Sequence, residues 1–122
     1  MNNPVGWFEI YVDEMSRAKA FYESVFGLQL AKLEGHDLEM WAFPMQSQGY
    51  GAPGTLVHMP GLAAGANSVL VYFSCADCAV EAARAEKAGG RIQKPKTSIG
   101  QYGYIALVVD TEGNMIGLHS MR

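Results

Sequence analysis

Three residues near the start of the chain stand where they could do chemistry together. Trp7, Glu9 and Tyr11 alternate with Phe8, Ile10 and Val12 along Gly6–Val12, so an extended strand puts the first three on one face and the second three on the other. A carboxylate between two aromatic rings is an uncommon strand face. Burial among such rings raises a carboxylate's pKa towards neutrality, which suits Glu9 to general-base work, with His119 as the matching proton donor. The same alternation points Met115 and His119 the way of Gly117, and Tyr72 the way of Leu70. Two readings stay open for the polar residues. Glu9, His58 and His119 would make a 2-His-1-carboxylate set able to hold a divalent metal. Alternatively, Glu9 is a partly solvated polar residue, His119 a strand-end histidine and His58 an outward one. The aromatic residues also have two readings. Trp7, Tyr11, Trp41, Phe43, Tyr50, Tyr72 and Met115 would form flat apolar walls for a small-molecule ligand, or they would simply fill the space between two parts of the fold.

A second motif is Cys75-Ala76-Asp77-Cys78, which falls where a strand passes into a helix. A helix N-terminus lowers thiol pKa and supports redox work. Asp77 is the better helix cap, however, and a carboxylate between two thiols disfavours thiolate, so the pair also reads as two small, half-buried residues.

These residues need elements to carry them. Asp13 or Ser16 can cap a helix in which Ala18, Phe21, Tyr22 and Val25 recur at helical spacing and which Gly27 ends; it should cover the Phe8-Ile10-Val12 face. Strands are expected near residues 28–33, 38–43 and 55–59, with the Gly- and Pro-rich stretch 44–54 as a loop. A second set follows the linker 60–67: a strand over 69–74, a helix over 78–88 capped by Asp77 and stopped by Gly89-Gly90, and strands over 91–94, 102–109 and 115–119. Asp110-Thr111-Glu112-Gly113-Asn114 is a tight-turn sequence, so the last two strands form a hairpin.

The two sets repeat. Gly27 and Gly90 stand sixty-three residues apart, as do Trp7 and Leu70. Two copies of one module place a ligand most naturally in a cleft between them. The bulk figures fit one domain over residues 1–122, with module one at about 5–59 and module two at about 68–120, since 49% hydrophobic residues suffice for one sizeable core. A net charge of −3 with nine scattered Lys and Arg excludes a nucleic-acid surface, and no apolar run approaches a membrane span. The start, Met1-Asn2-Asn3-Pro4, lacks signal-peptide character, and two close cysteines do not make a disulfide framework; both point to a cytoplasmic protein.

The paired modules, with Asp13, Ala18-Lys19-Ala20-Phe21-Tyr22, Phe26-Gly27-Leu28 and the run from Asp110 to Leu118, resemble the vicinal oxygen chelate superfamily, which contains glyoxalase I, the bleomycin-resistance proteins and the extradiol dioxygenases. The resemblance covers nearly the whole chain. It implies an α+β fold of two paired βαβββ modules forming a curved, mostly antiparallel sheet cleft, and commonly a homodimer. It also implies a divalent metal held from the first and last strands of each module. Those positions fall here on Trp7, Val57 (or His58 if the register slips), Leu70 and Gly117. Metals of this kind need three or four N, O or S donors. The resemblance with these departures implies a small-molecule-binding protein of the glyoxalase and bleomycin-resistance type with a degenerate metal site and no cofactor. The alternatives are a metal-dependent lyase or dioxygenase with the displaced ligands Glu9, His58 and His119, and a thiol-redox protein using Cys75 and Cys78.

Overall fold

The structure is a computed structural model and describes residues 3–34, 37–49 and 51–122. Its elements run β1 (Val5–Tyr11), α1 (Met15–Phe26), β2 (Ala31–Lys32), β3 (Glu39–Ala42), β4 (Gly54–His58), β5 (Val69–Ser74), α2 (Cys78–Lys87), β6 (Arg91–Ser98), β7 (Tyr104–Val109) and β8 (Met115–Ser120), with a short 3-10 turn at Gly100–Tyr102. This is βαβββ twice over, the expected α+β arrangement. The chain divides into two compact units, Trp7–Val69 and residues 3–6 with Leu70–Arg122.

In the first unit the strands lie in the order β2-β3-β4-β1, antiparallel except for the parallel pair β1 and β4. Helix α1 packs on the Phe8-Ile10-Val12 side, as the alternation of β1 requires. Its inward stripe is Met15, Ala18 and Tyr22, which meet Val12, Leu30 and Leu56 in the core, while the Phe43 ring lies between Phe8 at 5.5 Å and Tyr22 at 5.7 Å. Phe21 and Val25 are exposed instead of inward. Each residue turns the helix by about 100°, so the stripe that starts at Met15 passes through Tyr22 and misses its neighbour Phe21. The cap also differs from expectation. Glu14 is the N-cap residue and makes no side-chain cap bond, because the Asp13 carboxylate accepts instead from the Ala64 amide at 2.9 Å. Gly27 ends the helix as expected, in the left-handed region at φ 64°, its amide donating to the Glu23 carbonyl at 2.9 Å. Strand β2 is far shorter than residues 28–33, since the Leu30 amide donates to the Glu23 carboxylate at 2.9 Å and ties that stretch to the helix.

In the second unit the order is β5-β8-β7-β6, with β5 and β8 parallel and the other pairs antiparallel. Asp77 caps α2 as expected, accepting from the Ala79 amide at 3.0 Å and from the Lys96 ammonium at 2.9 Å. The Lys96 bond, then the amide, holds the Asp77 carboxyl below its usual range. Cys78 and Ala82 bring the helix close to Ala106, Val108 and Leu118. Strand β6 continues past Lys94 to Ser98 despite Pro95, because it lies at the end of the strand order and irregularities in its register absorb the missing donor. The expected hairpin joins β7 and β8. Its Asp110 carboxylate accepts from the Asn114 amide at 2.9 Å and the Glu112 amide at 2.8 Å, which lowers the pKa of that carboxyl.

Candidate functional site

On the face of the first unit away from α1, Glu9 is held between its two aromatic neighbours. The Tyr11 hydroxyl donates to one carboxylate oxygen at 2.7 Å and the Trp7 indole N–H to the other at 3.3 Å. Residues two apart on a strand share a face, so one short stretch supplies an anion and two donors. Glu9 is only 9% exposed, so the bland reading of a solvated carboxylate does not hold. Directly beside it in the parallel pair stands Thr55, fully buried, whose hydroxyl oxygen has no hydrogen-bond partner. The face is completed by Val57, Met40 and Ala42, all buried. Thr55 was not legible as a site residue. Its only sequence signal was its place in β4, and the register that sets it against Glu9 comes from a parallel pairing across the intervening strands.

Other expected members of this group lie elsewhere. Trp41 pairs with Leu56, so Trp41 and Phe43 face α1 and belong to the core of the first unit. There the Lys19 ammonium lies 3.5 Å from the centroid of the Trp41 ring, and the indole N–H donates to Glu39 at 3.0 Å. Alternation in β3 decides this, since Met40 and Ala42 take the Glu9 face. His58 also shares the Leu56 side, opposite to Glu9, and its Nδ1 donates to the Val12 carbonyl at 2.9 Å. The set Glu9, His58 and His119 is therefore not assembled. Tyr50 falls outside the described residues.

In the second unit β5 and β8 pair Tyr72 with Gly117 and Ser74 with His119, so Tyr72, Met115, Gly117 and His119 share one face as alternation predicts. Gly117 does not open space there. A Cβ at this position would meet the Tyr72 ring at 2.3, 2.4 and 2.8 Å, so the ring fills the volume that a side chain would take. His119 Nε2 donates to the Tyr102 carbonyl at 2.6 Å, which commits that proton to the backbone.

The profile of the Glyoxalase/Bleomycin resistance protein/Dioxygenase superfamily matches residues 5–118. The chain belongs to that superfamily. Solved structures share its fold. A variant of Streptomyces coelicolor methylmalonyl-CoA epimerase, in complex with 2-nitronate-propionyl-CoA, aligns with TM-score 0.68 and 14% identity over 98% of this chain and 98% of that one. The Mycobacterium tuberculosis methylmalonyl-CoA epimerase gives the same score and identity over 98% and 88%. A Legionella pneumophila structure named as an NAD-dependent benzaldehyde dehydrogenase gives 0.62 and 18% over 95% and 98%. No curated protein matches the chain in sequence.

The superfamily's divalent metal can be tested against the residues that the sequence resemblance sets at its ligand positions. Trp7 engages its N–H with Glu9, Val57 and Leu70 are buried hydrocarbons, and Gly117 lies under the Tyr72 ring. None of the four offers a donor atom from its side chain, and among the described residues no group of three or more His, Cys, Asp and Glu is placed to hold a metal ion. The residues present do not fit the metal.

The two cysteines are free thiols in different surroundings. Cys78 is fully buried in the core under α2. Burial, and then the neighbouring Glu81 carboxylate, push the Cys75 thiol up to about 11, so it stays protonated where redox chemistry needs thiolate. The carboxylate responsible is Glu81, one helical turn on from Asp77, which is occupied with Lys96. Among the described residues no helix is long and apolar enough to cross a membrane.

Proposed function

We propose that this superfamily member binds a small molecule without the family's metal, and that the ligand meets the Trp7-Glu9-Tyr11 face. The observation that carries the reading is the buried Glu9 carboxylate, clamped by Trp7 and Tyr11 beside the unpartnered Thr55 hydroxyl. Buried polar atoms are rarely left without partners, because an unmet hydroxyl costs about 1–3 kcal/mol. A few polar groups among aromatic walls are the usual composition of a ligand site. Glu9 serves as the anchor, and as the base if the bound molecule is turned over, since its oxygens are the acidic acceptors on that face. The two donors fix its orientation. Fold neighbours solved with CoA compounds make CoA thioesters reasonable first probes.

The test uses the W41F chain, in which Trp7 is the remaining tryptophan, excited selectively and titrated with propionyl-CoA and a panel of small aromatic molecules in buffer containing EDTA. Saturable quenching that falls at least fivefold in affinity in the E9Q variant is expected. Binding that appears only when divalent metal is restored, or that E9Q and Y11F leave unchanged, would refute the reading.

A further inference from the structure

The α2 side of the second unit carries an open groove of about 440 Å³, walled by Phe73, Ala85 and Ile116, with Pro4 and Cys75 at its borders and Glu81 projecting into it from the helix. Its walls are apolar, yet one Glu81 carboxylate oxygen is buried and has no hydrogen-bond partner. A carboxylate oxygen needs donors more than almost any other protein group; the Cys75 thiol faces the Glu81 carboxylate as a weak donor, and the stronger donors nearby are engaged elsewhere. The Cys75 amide donates to the His119 carbonyl at 2.8 Å, the Ser74 amide donates to the Pro4 carbonyl at 2.9 Å, and Lys96 pairs with Asp77. Arg84 also lines the groove as an exposed side chain, and the ion pairs among the described residues, Arg17 with Glu14 and Lys96 with Asp77, do not include it. Cys75 remains a neutral thiol, so Glu81, half-buried with one oxygen out of reach of water, is the acidic group of the groove.

We infer that this groove is a second ligand site, taking a small molecule with an apolar body and an ammonium head that donates to Glu81. The apolar walls take the body, in hydrophobic contact with Phe73 and Ile116. The head meets a carboxylate oxygen that water reaches poorly, where a charge-assisted hydrogen bond is stronger than in bulk solvent. The site lies within the second unit and does not depend on the Trp7-Glu9-Tyr11 face, so either can fail without the other.

Hexylammonium is the probe, with hexanol and hexanoate as neutral and anionic comparators of the same length. Each is titrated into the full ¹⁵N-labelled chain while the amide signals of Phe73, Cys75, Glu81 and Ala85 are followed. Hexylammonium should shift these signals saturably, at least fivefold more tightly than hexanol, and E81Q should remove that preference. Hexanoate binding more tightly than hexylammonium would mean that Arg84 governs the groove, and would overturn the assignment. Equal binding of all three, shifts confined to other residues, or no binding by any of them would overturn it as well. The comparison among the three probes is made on the unaltered chain, so it stands even if E81Q fails to fold.

Discussion

Replacing Gly117 with alanine probes how the Tyr72 ring fills the space over β8. The added Cβ would lie 2.3 Å from one Tyr72 ring carbon and 2.4 Å from the next, whereas carbon atoms in contact prefer about 3.5 Å or more. The ring must therefore recede by roughly 1.2 Å from a position in which Tyr72 is only 6% exposed. Overpacking of this kind costs about 1–3 kcal/mol, and the entropy lost from the unfolded chain when Gly becomes Ala returns about 0.5 kcal/mol. The backbone of β8 here is extended, so no conformational strain is added. The net loss is about 0.5–2.5 kcal/mol. For a chain of 122 residues the unfolding entropy is about 0.25 kcal/mol/K, so the Tm should fall by about 2–10 °C. Thermal and urea unfolding of wild type, G117A, Y72A and the double variant complete the cycle. With the ring removed, G117A should cost less than about 0.5 kcal/mol, a coupling that neighbouring residues show and distant ones do not. Y72F keeps the ring and should keep the penalty, which guards against failure of Y72A to fold. A neutral G117A, or the same penalty with and without the ring, would refute the account of how that position is filled.

Alkylation should report the Cys75 environment directly. A thiol at about 11 in place of 9.0 carries about a hundredfold less thiolate at pH 8, so iodoacetamide should label folded Cys75 about a hundredfold more slowly than an unperturbed thiol, and faster in E81Q. Because the folded chain favours the neutral thiol, this group's contribution to stability is complete below pH 9 and is lost as pH rises through about 11; labelling at an ordinary rate at pH 8 would contradict it. The exposed face of α1, with Phe21, Val25 and Phe26, supports the expected homodimer, and sedimentation equilibrium should give twice the 13.2 kDa chain mass, reduced towards the monomer by F21E. A monomer across micromolar concentrations would remove that expectation.

Much of the fold was legible because it rests on local rules. Alternation along Gly6–Val12 placed Trp7, Glu9 and Tyr11 together, Gly27 needed its left-handed conformation, and Asp77 and Asp110 bonded nearby amides. The errors in the elements were local competitions lost to distant partners: Asp13 left its cap for Ala64, and Leu28–Leu30 left the strand for Glu23. The site was legible only in part for a related reason. Trp41 and Phe43 were expected as wall residues because they are aromatic, but composition does not say which face of the sheet they take. The pairing of Trp41 with Leu56 puts both against α1.

What the sequence determined alone was the repeated module and the carboxylate between two aromatic residues. Each follows from residue type and from a period of two, which any strand imposes. Tertiary structure decided what those residues meet. Register set the orphaned Thr55 hydroxyl beside Glu9, turned His58 to the opposite face, and laid the Tyr72 ring over Gly117. Register is the relative offset of strands far apart in the chain, fixed by the packing of both faces at once, and no single segment contains it.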